Sequence, residues 1–560
     1  MTAQPVLFNA PEVHQPLDEV SYAGANEKLR GAVFTKPAVV DFMLDLAGYT
    51  EDTALHRRLL EPACGNGSFL LAVTGRLIRA WQRSGLADTV LDNAVKAVEV
   101  DELTITETRQ ALVRRLIASG LPEISARRIT RQWLIRGDFL TTQIDSQFDV
   151  VVGNPPYIRQ ELVPPQRLAH YRRTYPTMVG RADVYIAFFE RSLDLLSTSG
   201  RLCFICADAW TRNDYGRELR QLVTMQYALR AYVDMYGLDA FETSVGAYPS
   251  ITLIEHGQPG PVRSARAAST EPAHLKALAM ALSDGTAAAR TMPALAPGKG
   301  PWLLRGGNRQ EAVRQLETRC QALEDAGCRV GIGVATGADK IFVAPYAELP
   351  VEENRKLPLA VNKDISSGEL TWHGMGVVNP WNDTGELVHL PDYPRLAAYL
   401  EPHRTRLSAR HTAKTNPETR WHKTIDRITP SLTWQPKLLV PDIRGDGDAI
   451  AYDDGTVYPH HNLYHITSLS WNLRALQALL RSGLARLFVE AYAVKIGGGY
   501  LRFQAQYLRR IHIPTWSDLS VEQQDTLAAA GRTGAKVPPS MVEELCRLEP
   551  GSLEFMEEWQ

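Results

Sequence analysis

Short apolar runs alternate with stretches of helical periodicity from about residue 25 to about residue 260, and this alternation restricts the fold more than any other feature of the sequence. A first apolar run ends at Glu61, and five further runs predict strands at Ala94–Val100, Trp133–Arg136, Phe148–Gly153, Arg201–Ala207 and Ser250–Glu255. Apolar residues at helical spacing occupy Lys36–Ala47, Ser68–Ser84, Thr104–Ser119, Val184–Leu196 and Gly216–Met225. Strands and helices in alternation predict a doubly wound, mostly parallel α/β sheet.

The rest of the chain differs in composition. A chain of 560 residues is too long for one compact domain, so we expect two or three. Residues 257–305 are rich in Pro, Gly, Ala and Ser and predict a linker, and a helix is predicted at Arg309–Ala326 in the aromatic-rich region that follows. The predicted parts are an irregular segment at 1–25, the α/β domain at 26–256, the linker at 257–305, a second domain at 306–515 and a polar helical tail at 516–560.

Composition and cysteine usage are those of an ordinary globular protein, with 44% hydrophobic and 22% charged residues. No apolar run approaches the ~20 residues of a membrane span, and the first residues lack the basic and apolar segments of an export signal. The six scattered cysteines are typical of a reducing compartment, so we expect a cytoplasmic protein with no membrane contact. Cys203 and Cys206 form a lone C-x-x-C inside a predicted buried strand, and we expect no metal site.

Net charge does not by itself indicate a nucleic-acid partner, because 61 basic and 63 acidic residues give −2. Basic residues are nevertheless concentrated in the second half of the chain. Between 401 and 440 they are Arg404, Arg406, Arg410, Lys414, Arg420, Lys423, Arg427 and Lys437, and between 471 and 514 they are Arg474, Arg481, Arg486, Lys495, Arg502, Arg509 and Arg510. A solvated charged face is one interpretation of these clusters, and a polyanionic partner is the other.

The first candidate site follows the first strand, where Glu61-Pro-Ala63-Cys-Gly65-Asn-Gly67 leads into a predicted helix at Ser68. A Gly-rich turn between a strand and a helix lets a ligand approach the backbone and lie against the helix N-terminus. A purely structural turn would show the same pattern, so both interpretations stay open.

Acidic residues also close the next two strands. Glu99, with Val100 and Asp101, ends the second strand, where a carboxylate of a doubly wound fold binds ribose hydroxyls. A helix N-cap at Asp101 is the alternative. Asp138 and Phe139 follow the third strand, where an acceptor and an aromatic ring could bind and cover an adenine ring, although a turn with a core Phe would look alike.

The most specific motif is Asn154-Pro155-Pro156-Tyr157, directly after the apolar strand Phe148–Gly153. Two prolines fix an extended backbone and remove two amide donors, so carbonyl oxygens and the Asn154 side-chain oxygen remain as acceptors. Such acceptors suit a planar NH2 group conjugated to a ring. Accepting both of its hydrogens draws the nitrogen lone pair out of conjugation and directs it at an incoming methyl group, while Tyr157 offers a stacking face.

These motifs together resemble those of γ-class N6-adenine DNA methyltransferases, in particular the TaqI-like and Eco57I-like modification enzymes. Further segments extend the resemblance over about residues 25–515, with specific motifs in the first half and softer ones in the second. They are Gly31–Pro37, Asp183–Glu190, Gly200–Ile205, Ala240–Ala247, Ser250–Ile254, Gly331–Val343, Gln435–Ile443 and Gly497–Phe503. One departure is Glu242-Thr-Ser after Phe241, where relatives often carry basic residues.

The resemblance implies a Rossmann-like methyltransferase domain followed by a mixed α+β target-recognition domain. It implies a site-specific DNA adenine methyltransferase that transfers a methyl group from S-adenosyl-L-methionine to N6 of an adenine flipped out of double-stranded DNA. We expect the modification arm of a restriction-modification system, a monomer on DNA, with any cognate restriction endonuclease a separate chain at the same site. The basic clusters would then face phosphates.

The same resemblance implies the roles of single residues. Cofactor-binding residues would be Phe34, Thr35, Glu61, Ala63, Gly65, Glu99, Val100, Asp138, Phe139 and Phe188. Among them, Glu99 would bind the ribose hydroxyls and Asp138 the adenine amino group of the cofactor. The catalytic loop would be Asn154, Pro155, Pro156 and Tyr157, with Tyr157 and Phe241 on the two faces of the target base. Neither a metal nor a covalent intermediate is required, so Cys64 would only pack the turn.

Other functions fit parts of the sequence. A protein-glutamine methyltransferase also uses Asn-Pro-Pro-Tyr to bind a planar amide, but such chains lack about 300 residues of basic and aromatic C-terminal domain. RNA methylation, an adenine methyltransferase that is solitary or belongs to another defence system, and a non-catalytic DNA-binding subunit are further alternatives. The intact loop at Asn154–Tyr157 argues against the last, and the short segments before residue 26 and after residue 515 leave no room for a fused nuclease.

Overall fold

A computed structural model describes residues 33–243, 249–286, 289–305, 308–411, 420–444, 449–493 and 501–559. The chain divides into two compact units, residues 1–306 and 307–560. Some predicted features lie outside the described residues, namely the segment 1–25, Gly31, residues 244–247, Lys414, Lys495 and residues 497–500.

The described strands of the first unit form a single sheet. They are β1 (Leu59–Glu61), β2 (Val95–Glu99), β3 (Leu134–Arg136), β4 (Phe148–Gly153), β5 (Leu196–Ala207), β6 (Tyr227–Asp234), β7 (Pro249–His256), β8 (Val262–Arg266) and β9 (Arg290–Met292). Their order is β3-β2-β1-β4-β5-β7-β6-β8-β9. Strands β1 to β5 pair in parallel, whereas β7 is antiparallel to both β5 and β6. The predicted mostly parallel, doubly wound sheet is therefore confirmed.

Helices cover both faces of this sheet. They are α1 (Pro37–Leu46), α2 (Ser68–Ser84), α3 (Glu102–Ala118), α4 (Glu123–Trp133), α5 (Pro165–Thr174), α6 (Tyr185–Asp194), α7 (Arg217–Gln226) and α8 (Pro272–Asp284). Side chains of a strand point alternately to the two faces, so Leu59 and Val150 pack in one core with α1, α2 and α8. Leu60 and Val151 pack in the other core with α6 and α7.

The linker predicted at 257–305 is wrong. This segment contains β8, α8 and β9, which extend the sheet beyond β6. Its Pro and Gly residues are concentrated at the two ends, whereas Val262, Leu278 and Met292 between them are buried. Strand β6 was also missed, because Arg230 interrupts its apolar run.

The crevice of the sheet lies beside β1, where the order of the strands reverses. The chain passes from β1 to β2 and β3 on one side, and returns to β4 and β5 on the other. Leu59 pairs in parallel with Val95 of β2 and with Val150 of β4. Ligands of doubly wound sheets bind at such a reversal, outside the carboxyl ends of the strands.

The second unit is a mixture of short strands and helices. Its described strands are β10 (Gln321–Ala322), β11 (Cys328–Ile332), β12 (Val343–Pro345), β13 (Lys356–Ala360), β14 (Ile365–Ser366), β15 (Glu369–Leu370), β16 (Met375–Val378), β17 (Lys437–Pro441), β18 (Ile443–Arg444), β19 (Ala451–Asp453), β20 (Tyr458–Pro459), β21 (Leu463–Ser468), β22 (Leu501–Arg502) and β23 (His512–Ile513). Two four-stranded sheets have the orders β11-β21-β17-β19 and β12-β16-β13-β20.

The helices of the second unit include those at the C-terminal end. They are α9 (Asn308–Arg319), α10 (Asp339–Phe342), α11 (Pro394–Leu400), α12 (Arg404–Ser408), α13 (Leu473–Leu479), α14 (Ala485–Tyr492), α15 (Ala505–Leu508), α16 (Val521–Thr533) and α17 (Pro539–Leu545). The helix predicted at Arg309–Ala326 ends earlier, because Gln321 and Ala322 pair with β23 instead. The predicted tail is part of the unit, since α16 packs on α13 where Gly531 meets the backbone of Arg474. Within the described chain, no helix is long and apolar enough to cross a membrane.

Candidate functional site

A cavity lies at the carboxyl ends of β1, β2, β3 and β4, in the crevice of the first unit. All ten residues predicted to bind the cofactor line it, and so do Asn154 and Pro156 of the predicted catalytic loop. Pro155, Tyr157 and Phe241 are not among the residues that line the cavity. The strand ends therefore bring together residues that are up to 154 positions apart in the sequence, from Phe34 to Phe188.

Glycine is required by the turn between β1 and α2. Gly65 and Gly67 have φ angles of 49° and 83°, in the left-handed region that disfavours other residues. The turn is held by the Cys64 amide, which donates to the Val98 carbonyl at 2.9 Å, and by the Gly67 amide, which donates to the Cys64 carbonyl at 2.8 Å. A Cβ atom on Gly65 would lie 3.1 Å from the Phe34 ring, which therefore rests on the turn.

Glu99 joins this turn to the end of β2. Its carboxylate accepts hydrogen bonds from the Gly65 amide and from the Asp101 amide, both at 2.9 Å. Asp101 in turn caps α3, because its side chain accepts from the Thr104 amide at 2.9 Å. The N-cap left open for Asp101 is therefore present. Glu99 itself reaches the cavity and also fixes the turn that lines it.

Glu61 is a buried carboxyl group at the end of β1, with 1% of its surface exposed. Burial raises its pKa well above the usual value, and the neighbouring Glu99 raises it further, while the Leu70 amide lowers it. Its Oε2 atom has no hydrogen-bond partner among the described residues. Buried polar atoms normally have a partner, so this oxygen suits a cationic or hydrogen-bonding group of a ligand.

Asp138 and Phe139 form the side of the cavity that follows β3. The Asp138 carboxylate accepts from the Leu140 amide at 3.0 Å and from the Tyr171 hydroxyl of α5. The rings of Phe139 and Phe188 lie 5.1 Å apart at 39°, and the Arg191 guanidinium lies over Phe139. Both rings are buried, so this side of the cavity is apolar apart from the Asp138 carboxylate.

The amide of Asn154 has a fixed orientation. Its Nδ2 atom donates to the Val33 carbonyl at 2.8 Å and to Thr35 Oγ1 at 3.3 Å. These two acceptors identify the nitrogen end of the amide, so Oδ1 is the end that remains an acceptor. Oδ1 is buried and has no hydrogen-bond partner within the described ranges. The loop itself is held by the Val184 amide, which donates to the Ile158 carbonyl at 3.0 Å.

Tyr157 and Phe241 contact each other. Their ring centroids lie 6.4 Å apart at an interplanar angle of 80°, so the two rings meet edge to face. Stacking of Tyr157 and Phe241 on a target base stays a prediction. Phe241 is 3% exposed, because its backbone pairs with Thr35. The Lys36 amide donates to the Ala240 carbonyl at 3.0 Å, and the Glu242 amide donates to the Phe34 carbonyl at 2.9 Å. Burial raises the pKa of Tyr157, whose hydroxyl has no partner in the part of the chain that is described.

Sequence analysis missed several residues of the cavity. They include Val33, Asn66, Phe69, Thr104, Ile158, Tyr171 and Val184. Asn66 lies in the turn before α2, where its Oδ1 accepts from the Ser68 amide at 3.1 Å, and its place in the Gly-rich turn was a usable signal. Tyr171 had none, since only the fold brings α5 to Asp138. Cys64 lines the cavity as a buried thiol whose pKa burial raises, which fits a packing role.

Fewer basic side chains of the second unit are available to contact phosphates than the sequence predicts. Lys437 is fully buried and pairs with Asp453, so its predicted contact with phosphate is wrong. Arg410 is also wrong as a phosphate contact, because it donates to the carbonyl oxygens of four residues, Leu407, Thr336, Trp421 and Lys423. Other arginines pair with acidic residues nearby in space, namely Arg486 with Glu490, Arg502 with Asp442 and Arg509 with Glu324. Arg404, Arg406, Arg420 and Arg427 are exposed.

Comparisons with known proteins agree on one family. A family model described as "Eco57I restriction-modification methylase" matches residues 90–241. The Type II methyltransferase M.PaeR7I of Pseudomonas aeruginosa is 49% identical over 510 residues, which are 90% of this chain and 88% of that protein. The chain belongs to the type II methyltransferases. The Type II methyltransferase M.XhoI of Xanthomonas vasicola is 46% identical over 522 residues, 90% of this methyltransferase and 94% of that protein.

A solved structure shares the fold of this methyltransferase. The Type IIL restriction-modification enzyme MmeI in complex with DNA covers 98% of the chain at a TM-score of 0.51, with 13% sequence identity and 76% of that chain covered. The methyltransferase acts on DNA in a restriction-modification system, and its cofactor is S-adenosyl-L-methionine. The cavity fits this cofactor, because a cationic group would satisfy the partnerless oxygen of Glu61.

Proposed function

We propose that this type II methyltransferase modifies N6 of an adenine within a specific sequence of double-stranded DNA. The observation that supports the proposal best is the fixed Asn154 amide, whose Oδ1 is a buried acceptor beside the cofactor cavity. An adenine amino group inside a duplex is not accessible to in-line attack, so the target base must leave the stack, which costs a few kcal/mol.

Different residues of the cavity bind different parts of the cofactor. Glu61, Thr35, Ala63 and Gly65 hold its amino-acid end, Glu99 and Val100 its ribose, and Asp138 its adenine amino group. Phe139 covers the adenine ring, and Phe188 and Phe34 close the cavity on apolar sides. S-adenosyl-L-methionine supplies an electrophilic methyl group when bound in this cavity.

The loop Asn154–Tyr157 binds the target base. Asn154 Oδ1 accepts one hydrogen of the amino group, and the Pro155 carbonyl accepts the other. Pro156 keeps the loop extended, because its ring fixes φ and it has no amide proton to donate. Asn154 is uncharged and acts as a hydrogen-bond acceptor. In this role it orients the amino group and draws the lone pair of the amino nitrogen out of conjugation. Tyr157 stacks on the base, and Phe241 supports the Tyr157 ring from its edge.

The second unit recognises the target sequence. Exposed arginines such as Arg406 and Arg427 bind phosphates, which position the duplex without reading its sequence. Sequence is read by polar side chains at the edges of bases in the major groove. The methyltransferase acts as a monomer on DNA, and a separate endonuclease cleaves the same site when it is unmethylated.

Methylation of DNA by the Asn154→Ala variant tests the proposal. Nucleosides from plasmid DNA incubated with wild-type protein and S-adenosyl-L-methionine should contain N6-methyldeoxyadenosine and no methylated cytosine by mass spectrometry. The variant should lose transfer by at least about 100-fold, because the amino group loses an acceptor that acts in the transition state. Its affinity for S-adenosylhomocysteine should stay within a few fold of wild type.

Asn93→Ala is the matched control, because Asn93 is an exposed asparagine of the first unit outside the cavity. It should methylate DNA like wild type. Methylated cytosine as the product, or an Asn154→Ala variant with wild-type turnover, would contradict adenine modification by this loop.

A further inference from the structure

Three metal-ligating side chains converge in the second unit. Asp339 begins α10, while His460 and His461 directly follow β20. Their ligand atoms, one carboxylate oxygen and two imidazole nitrogens, all lie within 4.8 Å of one another. The cluster lies outside the cofactor cavity, and methyl transfer to nitrogen leaves it without a role.

The separations within the cluster are close to those around a bound ion. His460 Nε2 lies 3.1 Å from Asp339 Oδ2 and 3.0 Å from His461 Nδ1. Around a tetrahedral ion with bonds of about 2.0–2.1 Å, neighbouring ligand atoms are about 3.3 Å apart. The two separations from His460 are therefore a few tenths of an ångström shorter than those around a bound ion, and the third, between Asp339 and His461, is at most 4.8 Å.

Hydrogen bonds among the three side chains do not satisfy all of their polar atoms. The Nε2 atom of His460 holds either one proton or one lone pair. If it holds the proton, Asp339 and His461 must share that proton; if it holds the lone pair, it faces the Asp339 carboxylate. A divalent cation accepts a lone pair from all three groups at once and removes this conflict.

The backbone around the cluster is already fixed. The His460 amide donates to the Ala360 carbonyl and the His461 amide to the Val334 carbonyl, both at 3.0 Å. Thr336 Oγ1 donates to the other carboxylate oxygen of Asp339, which orients Oδ2 toward the histidines. The side chain of His460 is 9% exposed and that of Asp339 is 45% exposed, so an ion and a water ligand can enter from the Asp339 side.

Charge around the cluster also favours a cation. The carboxylates of Asp339, Asp426 and Asp442 all act on the imidazole of His461, so three negative charges contribute to the potential there.

We propose that Asp339, His460 and His461 bind one divalent transition-metal ion of the zinc class. Two imidazoles and one carboxylate suit Zn²⁺, Co²⁺ or Ni²⁺, whereas Mg²⁺ prefers oxygen ligands. Water occupies the fourth position, because the chain supplies three ligands. The ion joins the first residue of α10 to the two residues after β20, and so stabilises the second unit.

Zinc and cobalt binding to the full-length protein tests this proposal. Untagged protein treated with a chelator and dialysed should bind one Zn²⁺ per chain in calorimetry. Bound Co²⁺ should give the visible absorption of a four-coordinate site. The thermal unfolding midpoint should rise by a few degrees on addition of Zn²⁺. His461→Ala and Asp339→Ala should each weaken binding at least about 10-fold and abolish the cobalt signal.

Both variants change side chains at the exposed side of the cluster, so their folding is easier to preserve than that of a variant at buried His460. His389→Ala is the matched control, because His389 pairs with Asp392 elsewhere on the surface of the second unit, and it should bind Zn²⁺ like wild type. Failure of wild-type protein to bind Zn²⁺ would overturn the proposal, and so would His461→Ala and Asp339→Ala variants that bind Zn²⁺ as tightly as wild type.

Discussion

Buried polar atoms without partners identify the chemistry of this methyltransferase more directly than its exposed residues do. Glu61 Oε2, Asn154 Oδ1 and the Tyr157 hydroxyl are all buried, and none has a hydrogen-bond partner in the described parts of the chain. An unsatisfied buried polar group costs about 1–3 kcal/mol. We therefore propose that these atoms bind ligands during catalysis.

Glu61 gives the cofactor-free protein a specific pH dependence. Its pKa in the folded state is raised well above 4.5, so the folded protein retains a proton that the unfolded chain loses above about that pH. Stability is then lost as pH rises from about 4.5 toward the raised pKa, by about 1.4 kcal/mol per pH unit for a fully buried group. Glu61→Gln removes this loss.

Thermal unfolding of the cofactor-free proteins between pH 5 and 8 measures the effect. The midpoint of Glu61→Gln should rise relative to wild type as the pH increases through this range. Glu123→Gln, at an exposed position of α4, should follow the wild-type curve. Parallel curves for wild type and Glu61→Gln would show that the carboxyl group is already ionised in the folded protein.

At the level of single residues, the sequence predicted most of the candidate site. Most predicted cofactor residues end or follow β1, β2 or β3, and parallel strands end at the same edge of a sheet. Phe34, Thr35 and Phe188 do not follow a strand and were predicted from the family resemblance. Tyr171 was missed because it reaches the site only through tertiary packing. The orientation of the Asn154 amide was also beyond the sequence, since Val33 and Thr35 determine it from more than 110 positions away.

Among the secondary-structure elements, the turn between β1 and α2 carries the strictest requirement. Gly65→Ala would place a Cβ atom 3.1 Å from the Phe34 ring in addition to the strain of a left-handed backbone. That strain costs about 1–2 kcal/mol. The variant should therefore lose stability and also bind S-adenosylhomocysteine at least several fold more weakly, as measured by denaturant unfolding and calorimetry.

Gly85→Ala is the matched control at the other end of α2. Gly85 has a φ angle of 68°, and a Cβ atom there would meet nothing within 4 Å. This variant should pay the same backbone strain and keep wild-type affinity for the ligand. Equal affinities of the two variants would show that the contact between Gly65 and Phe34 does not shape the cavity.

Elements with long apolar runs were predictable, and the strands that follow β7 in the order of the sheet were not. Strand β4 and the second half of β5, from Leu202 to Cys206, are buried on both faces, and their sequences contain almost uninterrupted apolar residues. Strands β8 and β9 lie at one end of the sheet, with β9 as its edge strand, and they contain Arg263, Arg266 and Arg290, so periodicity does not mark them. Pairing with the neighbouring strand stabilises them, and that information is not local.

For the whole molecule, the distribution of charge in space differs from its distribution along the chain. Lys437 belongs to a basic cluster in the sequence, yet it forms a buried ion pair with Asp453. Arg406 belongs to the same cluster and is exposed. Charge counted along the chain therefore overestimates the charge available to DNA, because several cations bind acidic groups or carbonyl oxygens within the unit.

Lys437→Met and Arg406→Ala should separate these two roles. Lys437→Met leaves Asp453 buried without its cation, so the free energy of unfolding should fall by roughly 3–5 kcal/mol. The salt dependence of DNA affinity should stay unchanged in this variant. Arg406→Ala should keep the stability and reduce the slope of log affinity against log salt by about 1, as expected for one phosphate contact. A reduced salt slope in Lys437→Met would contradict the assignment of Lys437 to the core.

The pairing of residues 34–36 with residues 240–242 has a consequence for synthesis of the chain on the ribosome. Thr35 and Val33 orient the Asn154 amide, and the segment that carries them is held in place by Ala240 and Phe241. Translation completes the Asn154 loop long before it reaches Phe241. A nascent chain that has formed the first parallel strands therefore still lacks an oriented amide, and methylation activity begins only after the last of these residues has emerged.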